Sequence, residues 1–170
     1  ALKYLLKKIN HIDVVIPRGG KSLIEMIMQE SKIPMIKHLD GNCHVFINLD
    51  ANHKIAYDVS LNSKIQRLGV CNAIETLLIH EKYSVKKTTE ILTALVDSGV
   101  EVRGCKKIRE IFPESKVANE SDWYREYLGP VLAVKIVKSL EDAISHISKY
   151  GSMHTDAIIS QDKHAIKIFM

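Results

Sequence analysis

Short runs of apolar, mostly β-branched residues alternate with amphipathic segments along the whole chain. Such runs predict strands, whereas apolar residues at three- and four-residue spacing predict helices. Neither an internal repeat nor a low-complexity linker interrupts this pattern over the 170 residues. The alternation therefore predicts an α/β fold, and a chain of this length can build one around its own core.

The pattern assigns each element an approximate place. Predicted strands lie at residues 13–16, 34–36, 43–47, 74–79, 100–102, 131–137 and 157–159. Predicted helices lie at residues 2–9, 20–30, 53–66, 85–97, 139–150 and 163–169. Ser139 and Gly151 are the expected caps of the fifth helix, and the stretch around Pro113 is expected to be irregular.

Composition narrows the class of protein. No apolar run reaches the roughly 20 residues of a membrane-spanning helix, and the first residues lack the apolar stretch of a signal peptide. Lys and Arg exceed Asp and Glu by only 24 to 20 and are scattered along the chain, so acidic small molecules are as plausible as nucleic acid. The three cysteines Cys43, Cys71 and Cys105 are widely spaced and odd in number, which favours a reducing cytoplasm over a disulfide framework.

A glycine pair separates the first predicted strand from the helix that follows. The segment Arg18-Gly19-Gly20-Lys21-Ser22 can present backbone N–H groups to an anion. It imitates a nucleotide P-loop, but that motif needs a glycine where this chain has Val15. Two interpretations stay open: contact with a phosphate-bearing cofactor, or glycines that simply allow a sharp turn.

Four potential metal ligands, His38, Asp40, Cys43 and His44, lie within seven residues. Cys43 and His44 are neighbours in a predicted strand, so their side chains should point to opposite faces. One ion could not bind both without distortion. We therefore expect no metal site here.

Cys71 lies in a predicted tight turn of sequence Gly-Val-Cys-Asn, which should expose its side chain. Lys64 and Arg67 precede it and would favour the reactive thiolate if they approach the sulfur. From the pattern alone, a single cysteine is more often a small buried apolar residue. A cysteine hydrolase with His80 or His154 as its base also stays open.

Four longer strings are more specific: IDVVIPRGGKSLI, IPMIKHLDGNCHVFI, QRLGVCNAIETLLIH and DWYREYLGPVLAVKIVKSLEDAISHISKYGSMHTDAIISQD. In this order they resemble the γ-glutamyl phosphate reductases of the aldehyde dehydrogenase superfamily. Only residues 81–121 carry no string typical of that family. The resemblance implies an aldehyde dehydrogenase-like catalytic domain with flanking pieces of the cofactor-binding domain.

The resemblance also implies a chemistry. Cys71 falls on the family's nucleophile, which attacks γ-glutamyl phosphate, expels phosphate and forms a thioester that NADPH reduces to glutamate-5-semialdehyde. The backbone N–H of Cys71 is expected to stabilise the oxyanion, while a second donor would come from a part of the family that this chain lacks. Asn72 and Arg67 are expected substrate or oxyanion contacts.

Cofactor contacts follow from the same resemblance. Glu126 matches the Glu of a Glu-x-x-Gly-Pro-Val string that contacts the ribose on the nicotinamide side, with a surface carboxylate as the alternative. Gly19 and Gly20 are the expected contacts of the NADP(H) phosphates. Where aldehyde-oxidising relatives carry a general-base Glu, this chain has Lys37 or His38, which suits a thioester that must escape hydrolysis.

Two residues depart from the family pattern. Leu68 replaces the proline usual before Gly-Val-Cys-Asn, which frees the backbone φ angle there. Met153 replaces a glycine in the Tyr-Gly-Ser-Gly-His-Thr string, where a positive φ would be costly.

We expect residues 1–38 to be the tail of the dinucleotide-binding domain, 39–152 the catalytic domain, and 153–170 a return strand and helix toward the cofactor domain. The chain would then be a fragment, inactive alone, of a cytoplasmic homo-oligomer in proline biosynthesis. Glutamate 5-kinase is a possible partner, and neither nucleic acid nor a membrane is expected. Two alternatives stay open: another acyl-thioester-forming aldehyde dehydrogenase, or a non-catalytic binding module.

Overall fold

The computed structural model describes residues 2–37 and 40–170. The chain divides into two compact units, Ala1–Asp40 and Gly41–Met170. Within the described residues, no helix is both long and apolar enough to cross a membrane.

The first unit contains two helices, α1 (Leu2–Leu5) and α2 (Lys21–Glu30). Helix α2 lies where the sequence predicts it and buries Ile24 and Ile27, as its apolar periodicity requires. Helix α1 ends four residues earlier than expected, and turns follow it.

The strands predicted at 13–16 and 34–36 are reduced to a single parallel bridge between Val15 and Met35. Two backbone hydrogen bonds hold the bridge, from Val15 N to Pro34 O and from Ile36 N to Val15 O. In a parallel ladder, the next bonds on either side would need the N–H groups of Pro34 and Pro17, and proline has none. The ladder therefore cannot extend, and the prediction of full strands was wrong.

The second unit is built around one sheet. Its strands are β1 (Cys43–Ile47), β2 (Ile74–His80), β3 (Glu101–Gly104), β4 (Lys116–Val117), β5 (Val131–Val137) and β6 (Asp156–Ile159). Its helices are α3 (His53–Ile65), α4 (Val85–Asp97), α5 (Lys106–Ile111), α6 (Glu120–Trp123), α7 (Leu140–Tyr150) and α8 (Lys163–Phe169). The strands pair in the order β4-β3-β5-β2-β1-β6, and every pairing is parallel.

Both faces of this sheet are covered, as is usual for parallel sheets. Alternate side chains of β1 and β2, such as Val45 and Leu77, pack on one face with apolar residues of α3 and α4. The intervening side chains, such as Phe46 and Leu78, pack on the other face with residues of α7 and α8. Every residue of β1 and β2 is buried, which follows from this cover on both faces.

Most predicted elements of this unit are confirmed. Ser139 caps α7 by accepting a hydrogen bond from Asp142 N, and Gly151 follows the last residue of that helix. The stretch around Pro113, predicted to be irregular, instead contains α5, β4 and α6. These elements are two to six residues long, too short to produce a recognisable period.

Residues 153–170 contribute β6 and α8 to the second unit, where β6 pairs with β1. The expected direction of this segment toward a cofactor domain stays a prediction. Because all strands run the same way, the segments that precede them meet at one edge of the sheet, called here the amino edge. These are the segments before β1, β2, β5 and β6.

Candidate active site

Cys71 lies in the turn between α3 and β2, at the amino edge. A backbone hydrogen bond of 3.0 Å from Ala73 N to Val70 O closes the turn, with Cys71 at its second position. The thiol is free and exposed to solvent, as predicted from the sequence, whereas Ala73 behind it is buried. The geometry therefore leaves the sulfur accessible to a substrate.

The start of β1 and the loop before it contact this turn through Gly41 and Cys43. A Cβ built on Gly41 would lie 2.0 Å from the carbonyl oxygen of Cys71, so only glycine permits this approach. The thiol of the buried Cys43 also donates to that oxygen, at 3.2 Å. Burial raises the pKa of Cys43 to about 12, which keeps it in the thiol form that this bond needs. Cys43 is thus a support for the turn.

Glu126 reaches the same place from the loop before β5. Its Oε1 atom accepts a 2.8 Å hydrogen bond from the backbone N–H of Gly41, the residue packed against Cys71. Glu126 is half-buried, and its second carboxylate oxygen has no hydrogen bond among the described residues. The structure thus brings Cys71 and Glu126 to one edge, with one oxygen of Glu126 available to a ligand.

Arg67 and Asn72 flank Cys71, and both are exposed. Within the described part of the chain, neither side chain forms a hydrogen bond or an ion pair, so both can reach a bound anion. Lys64 behaves differently from expectation: it is fully buried and its Nζ lies 2.6 Å from Glu75 Oε2. The Lys64 ammonium group is paired with the Glu75 carboxylate, so the prediction that Lys64 favours the Cys71 thiolate was wrong.

The cysteine hydrolase alternative loses one of its two bases. His80 is the last residue of β2, whereas Cys71 precedes the first, which separates them by roughly 20 Å of extended strand. The Nδ1 atom of His80 also accepts a hydrogen bond from Lys82 N. His154 does lie at the amino edge, but its Nδ1 approaches Cys43 Sγ, at 3.8 Å.

The side chains of Cys43 and His44 contact different partners, as predicted for neighbours in a strand. Cys43 Sγ faces the Cys71 turn, while His44 Nδ1 lies 3.0 Å from Asp156 Oδ1. His38 lies outside the described residues. In residues 2–37 and 40–170, no three His, Cys, Asp or Glu side chains are grouped in a way that could hold a metal ion.

Gly19 and Gly20 belong to the first unit and precede α2. Gly19 has a φ of +149°, and a Cβ there would lie 2.7 Å from Leu23 Cδ2, so the turn requires glycine. Gly20 is the N-cap of α2, and no described side chain caps this helix end. The N–H groups of Lys21 and Ser22, the first two residues of this ten-residue helix, donate to no described residue and suit a phosphate group, which fits the expected cofactor contact.

Sequence reasoning missed two residues of the amino edge, Gly41 and Glu75. Glu75 is a carboxylate inside a mainly apolar strand, and such a residue is almost never fully buried without a partner. That pattern was a usable signal. For Gly41, the sequence indicated only a turn, through the neighbours Asp40 and Asn42. A turn signal does not predict the close approach of Gly41 to Cys71.

Comparisons with known proteins bear on this site. No family model matches the chain. It is similar to γ-glutamyl phosphate reductase from Thermotoga maritima, with 40% identity and a TM-score of 0.94 over 98% of this chain and 40% of that one. The corresponding protein from Saccharomyces cerevisiae is 33% identical, with a TM-score of 0.59 over 100% of this chain and 43% of that one.

A more distant match shows the fold alone. The NADP-dependent glyceraldehyde-3-phosphate dehydrogenase from Bacillus halodurans, complexed with NADP, is 16% identical, with a TM-score of 0.75 over 98% of this chain and 43% of that one. The predicted aldehyde dehydrogenase-like α/β fold is thereby confirmed. The chain spans about 40% of the length of the reductases that it matches.

Proposed function

Because this chain is similar in sequence and fold to part of the γ-glutamyl phosphate reductases, we propose that it carries the nucleophile of that reaction. The reaction is the NADPH-dependent reduction of γ-glutamyl phosphate to glutamate-5-semialdehyde and phosphate, a step of proline biosynthesis. The observation that carries the proposal is the exposed thiol of Cys71, held on a tight turn at the amino edge.

Cys71 performs the covalent step. Its thiolate attacks the γ-carbonyl carbon of the acyl phosphate, the carbon–oxygen bond to phosphate breaks, and a thioester with Cys71 remains. The backbone N–H of Cys71 stabilises the negative charge that develops on the carbonyl oxygen. This N–H shares its peptide plane with the Val70 carbonyl, which accepts the hydrogen bond from Ala73 N and is thereby held in place.

Arg67 and Asn72 contact the substrate on either side of Cys71 in the sequence. Both are exposed beside Cys71 and have no partner in the described part of the chain, so their donors are available. A guanidinium suits a phosphate or carboxylate because its N–H groups match two oxygens at once. We assign Arg67 to the phosphate or the α-carboxylate, and Asn72 to the carbonyl oxygen or its neighbours.

The nicotinamide cofactor, when bound, supplies the hydride that converts the thioester to the aldehyde. Glu126 suits a ribose contact because one carboxylate oxygen is anchored by Gly41 N while the other is available. Gly19 and Gly20 suit the cofactor phosphates through the N–H groups of α2. In a Glu126→Ala variant, the KM for NADPH should rise; an unchanged KM would remove Glu126 from the cofactor site.

The length comparison supports a proposal about the complete enzyme to which this chain would belong. The chain covers about 40% of the matched reductases, so it works with the remaining part of such an enzyme and is inactive alone. We place the enzyme in the cytoplasm, where its three free cysteines stay reduced, and expect a homo-oligomer. A glutamate 5-kinase would supply the acyl phosphate, which is too labile to accumulate.

The experiment measures NADPH formation from glutamate-5-semialdehyde, phosphate and NADP, the reverse of the biosynthetic direction. A protein that combines this chain with the rest of the fold should be active, and the 170-residue chain alone should be inactive. Faster turnover with another aldehyde would favour a different acyl-thioester dehydrogenase. Robust turnover by the chain alone would contradict the fragment proposal, and no turnover by the complete protein would favour a binding module.

A further inference from the structure

The nucleophile turn is bracketed by a buried ion pair. Lys64, in the last turn of α3, and Glu75, the second residue of β2, are both fully buried, and Nζ lies 2.6 Å from Oε2. Burial raises the pKa of Glu75 and lowers that of Lys64, while their mutual attraction opposes both shifts. The ion pair joins the two ends of the segment 64–75, which contains Cys71.

Glu75 also holds the loop before β5. Its other oxygen, Oε1, accepts a 3.1 Å hydrogen bond from Leu128 N. Leu128 has a φ of +52°, a left-handed conformation that is unfavourable for a residue with a side chain and persists only where its surroundings impose it. The bond to Glu75 is one such restraint.

The loop then returns to Cys71 through Glu126. Glu126 lies two residues before Leu128 and binds Gly41 N, and Gly41 packs against the Cys71 carbonyl. One route of contacts therefore runs from Lys64 through Glu75 and the 126–128 loop back to the turn that Lys64 and Glu75 enclose. Both carboxylate oxygens of Glu75 are used in this route.

We propose that Lys64 and Glu75 are positioning residues that hold Glu126 in register with the Cys71 turn. This inference rests on the proposed roles of Cys71 as nucleophile and Glu126 as cofactor contact. It adds a cause for their alignment: the same carboxylate fixes the base of the nucleophile turn and the loop that carries Glu126.

Stability alone does not call for such a pair. Replacing a buried ion pair by apolar residues of similar volume is often neutral or stabilising, because both charges must be desolvated. An apolar replacement can fill the space but cannot accept the hydrogen bond from Leu128 N. The two roles can therefore be separated by substitution.

The test compares Lys64→Met/Glu75→Leu with the parent chain. A matched control is Lys54→Met/Asp58→Leu, which removes an exposed ion pair of the same helix, α3. The first readout is the hydrogen-exchange rate of the Gly41 amide, which reports its bond to Glu126. If Glu126 is displaced, the Gly41 amide loses its hydrogen bond to this carboxylate, so its exchange should accelerate about tenfold. The melting temperature should stay at the parent value, and the control should show no change.

Three single variants, Glu75→Gln, Lys64→Arg and Lys64→Met, separate the proposed role from a folding defect. Glu75→Gln keeps the shape of the side chain but sets a neutral amide against Lys64, and it should also accelerate exchange at Gly41. Lys64→Arg keeps the ion pair and should keep the parent rate, whereas Lys64→Met removes the ion pair and should accelerate exchange. A parent-like Gly41 rate in folded Glu75→Gln, or equal acceleration in Lys64→Arg and Lys64→Met, would overturn the proposal.

Exchange at Gly41 does not depend on turnover, so this readout tests the positioning of Glu126 whether or not Cys71 is the nucleophile. In the complete enzyme, the double variant should raise the KM for NADPH, as predicted for Glu126→Ala, and also lower kcat, while retaining the parent melting temperature. Retained turnover after replacement of Cys71 would refute the proposed function and leave the exchange result intact. Accelerated exchange without any change in kcat would overturn the positioning role.

Discussion

Gly41 lies directly against the carbonyl group of Cys71, and a Cβ at position 41 would be 2.0 Å from that oxygen and 2.8 Å from the Cys71 Cα. The neighbouring atoms are backbone, so they cannot rotate away as a flexible side chain would. The loop before β1 therefore fixes the position of the Cys71 backbone relative to the sheet.

Gly41→Ala should displace the Cys71 turn and lower the free energy of unfolding by about 2 to 3 kcal/mol, the usual effect of overpacking a rigid site. Chemical denaturation measures this change, and the alkylation rate of Cys71 reports the displacement. Gly69→Ala is the matched control, because a Cβ there meets nothing within 4 Å. That variant should stay within about 0.5 kcal/mol of the parent. Equal effects at both positions would contradict the packing described.

Met153 has a φ of +58° and a side chain that is 93% exposed. It therefore bears the cost of a left-handed backbone without gaining contacts. Met153→Gly should raise the free energy of unfolding by about 0.5 to 1 kcal/mol, whereas Met153→Ala, which keeps a Cβ, should change it by less than about 0.5 kcal/mol. A destabilised glycine variant in thermal unfolding would show that the positive φ carries no strain.

His146 makes the stability of the second unit sensitive to acid. Burial, with Lys135 and His44 nearby, lowers its pKa to about 3, and the opposing attraction of Glu120 is weaker. Lys149 adds a further small repulsion. The unfolded chain binds a proton at this residue below about pH 6.5 and the folded chain does not. The free energy of unfolding should therefore fall as the pH decreases below about 6.5, by up to about 1.4 kcal/mol per pH unit.

His146→Gln removes this titration but keeps an acceptor for Lys135 Nζ, which lies 3.0 Å from His146 Nδ1. Its unfolding free energy should change less between about pH 6.5 and pH 5 than that of the parent. His164→Gln, at an exposed position of α8, should keep the parent profile. Parallel profiles for the parent and His146→Gln would mean that His146 titrates normally in the folded chain.

The sequence predicted the second unit well because its elements are strongly patterned. The apolar run of β5 and the Ser139 and Gly151 caps of α7 are local signals, and the structure has them where expected. The parallel bridge at Val15 failed to extend for a reason also written in the sequence, since prolines occupy both flanking donor positions. Periodicity records side-chain faces and ignores missing N–H groups.

The candidate site was only partly predictable for a different reason. The exposure of Cys71 follows from a local turn, so the sequence could indicate it. The ion pair of Lys64 with Glu75 and the bond of Glu126 to Gly41 join segments that are 11 and 85 residues apart. Such pairings depend on strand order, which no local pattern encodes. Proximity to Cys71 in the sequence therefore could not show that Lys64 is buried and paired with Glu75.

The most direct test of the account asks where the acyl group goes. The complete enzyme is incubated with glutamate-5-semialdehyde and NADP without phosphate, then digested and mapped by mass spectrometry. We predict a hydroxylamine-sensitive glutamyl adduct on Cys71, its absence in Cys71→Ser together with loss of turnover, and normal activity in Cys105→Ala. An adduct on another residue, or turnover retained by Cys71→Ser, would contradict the central claim.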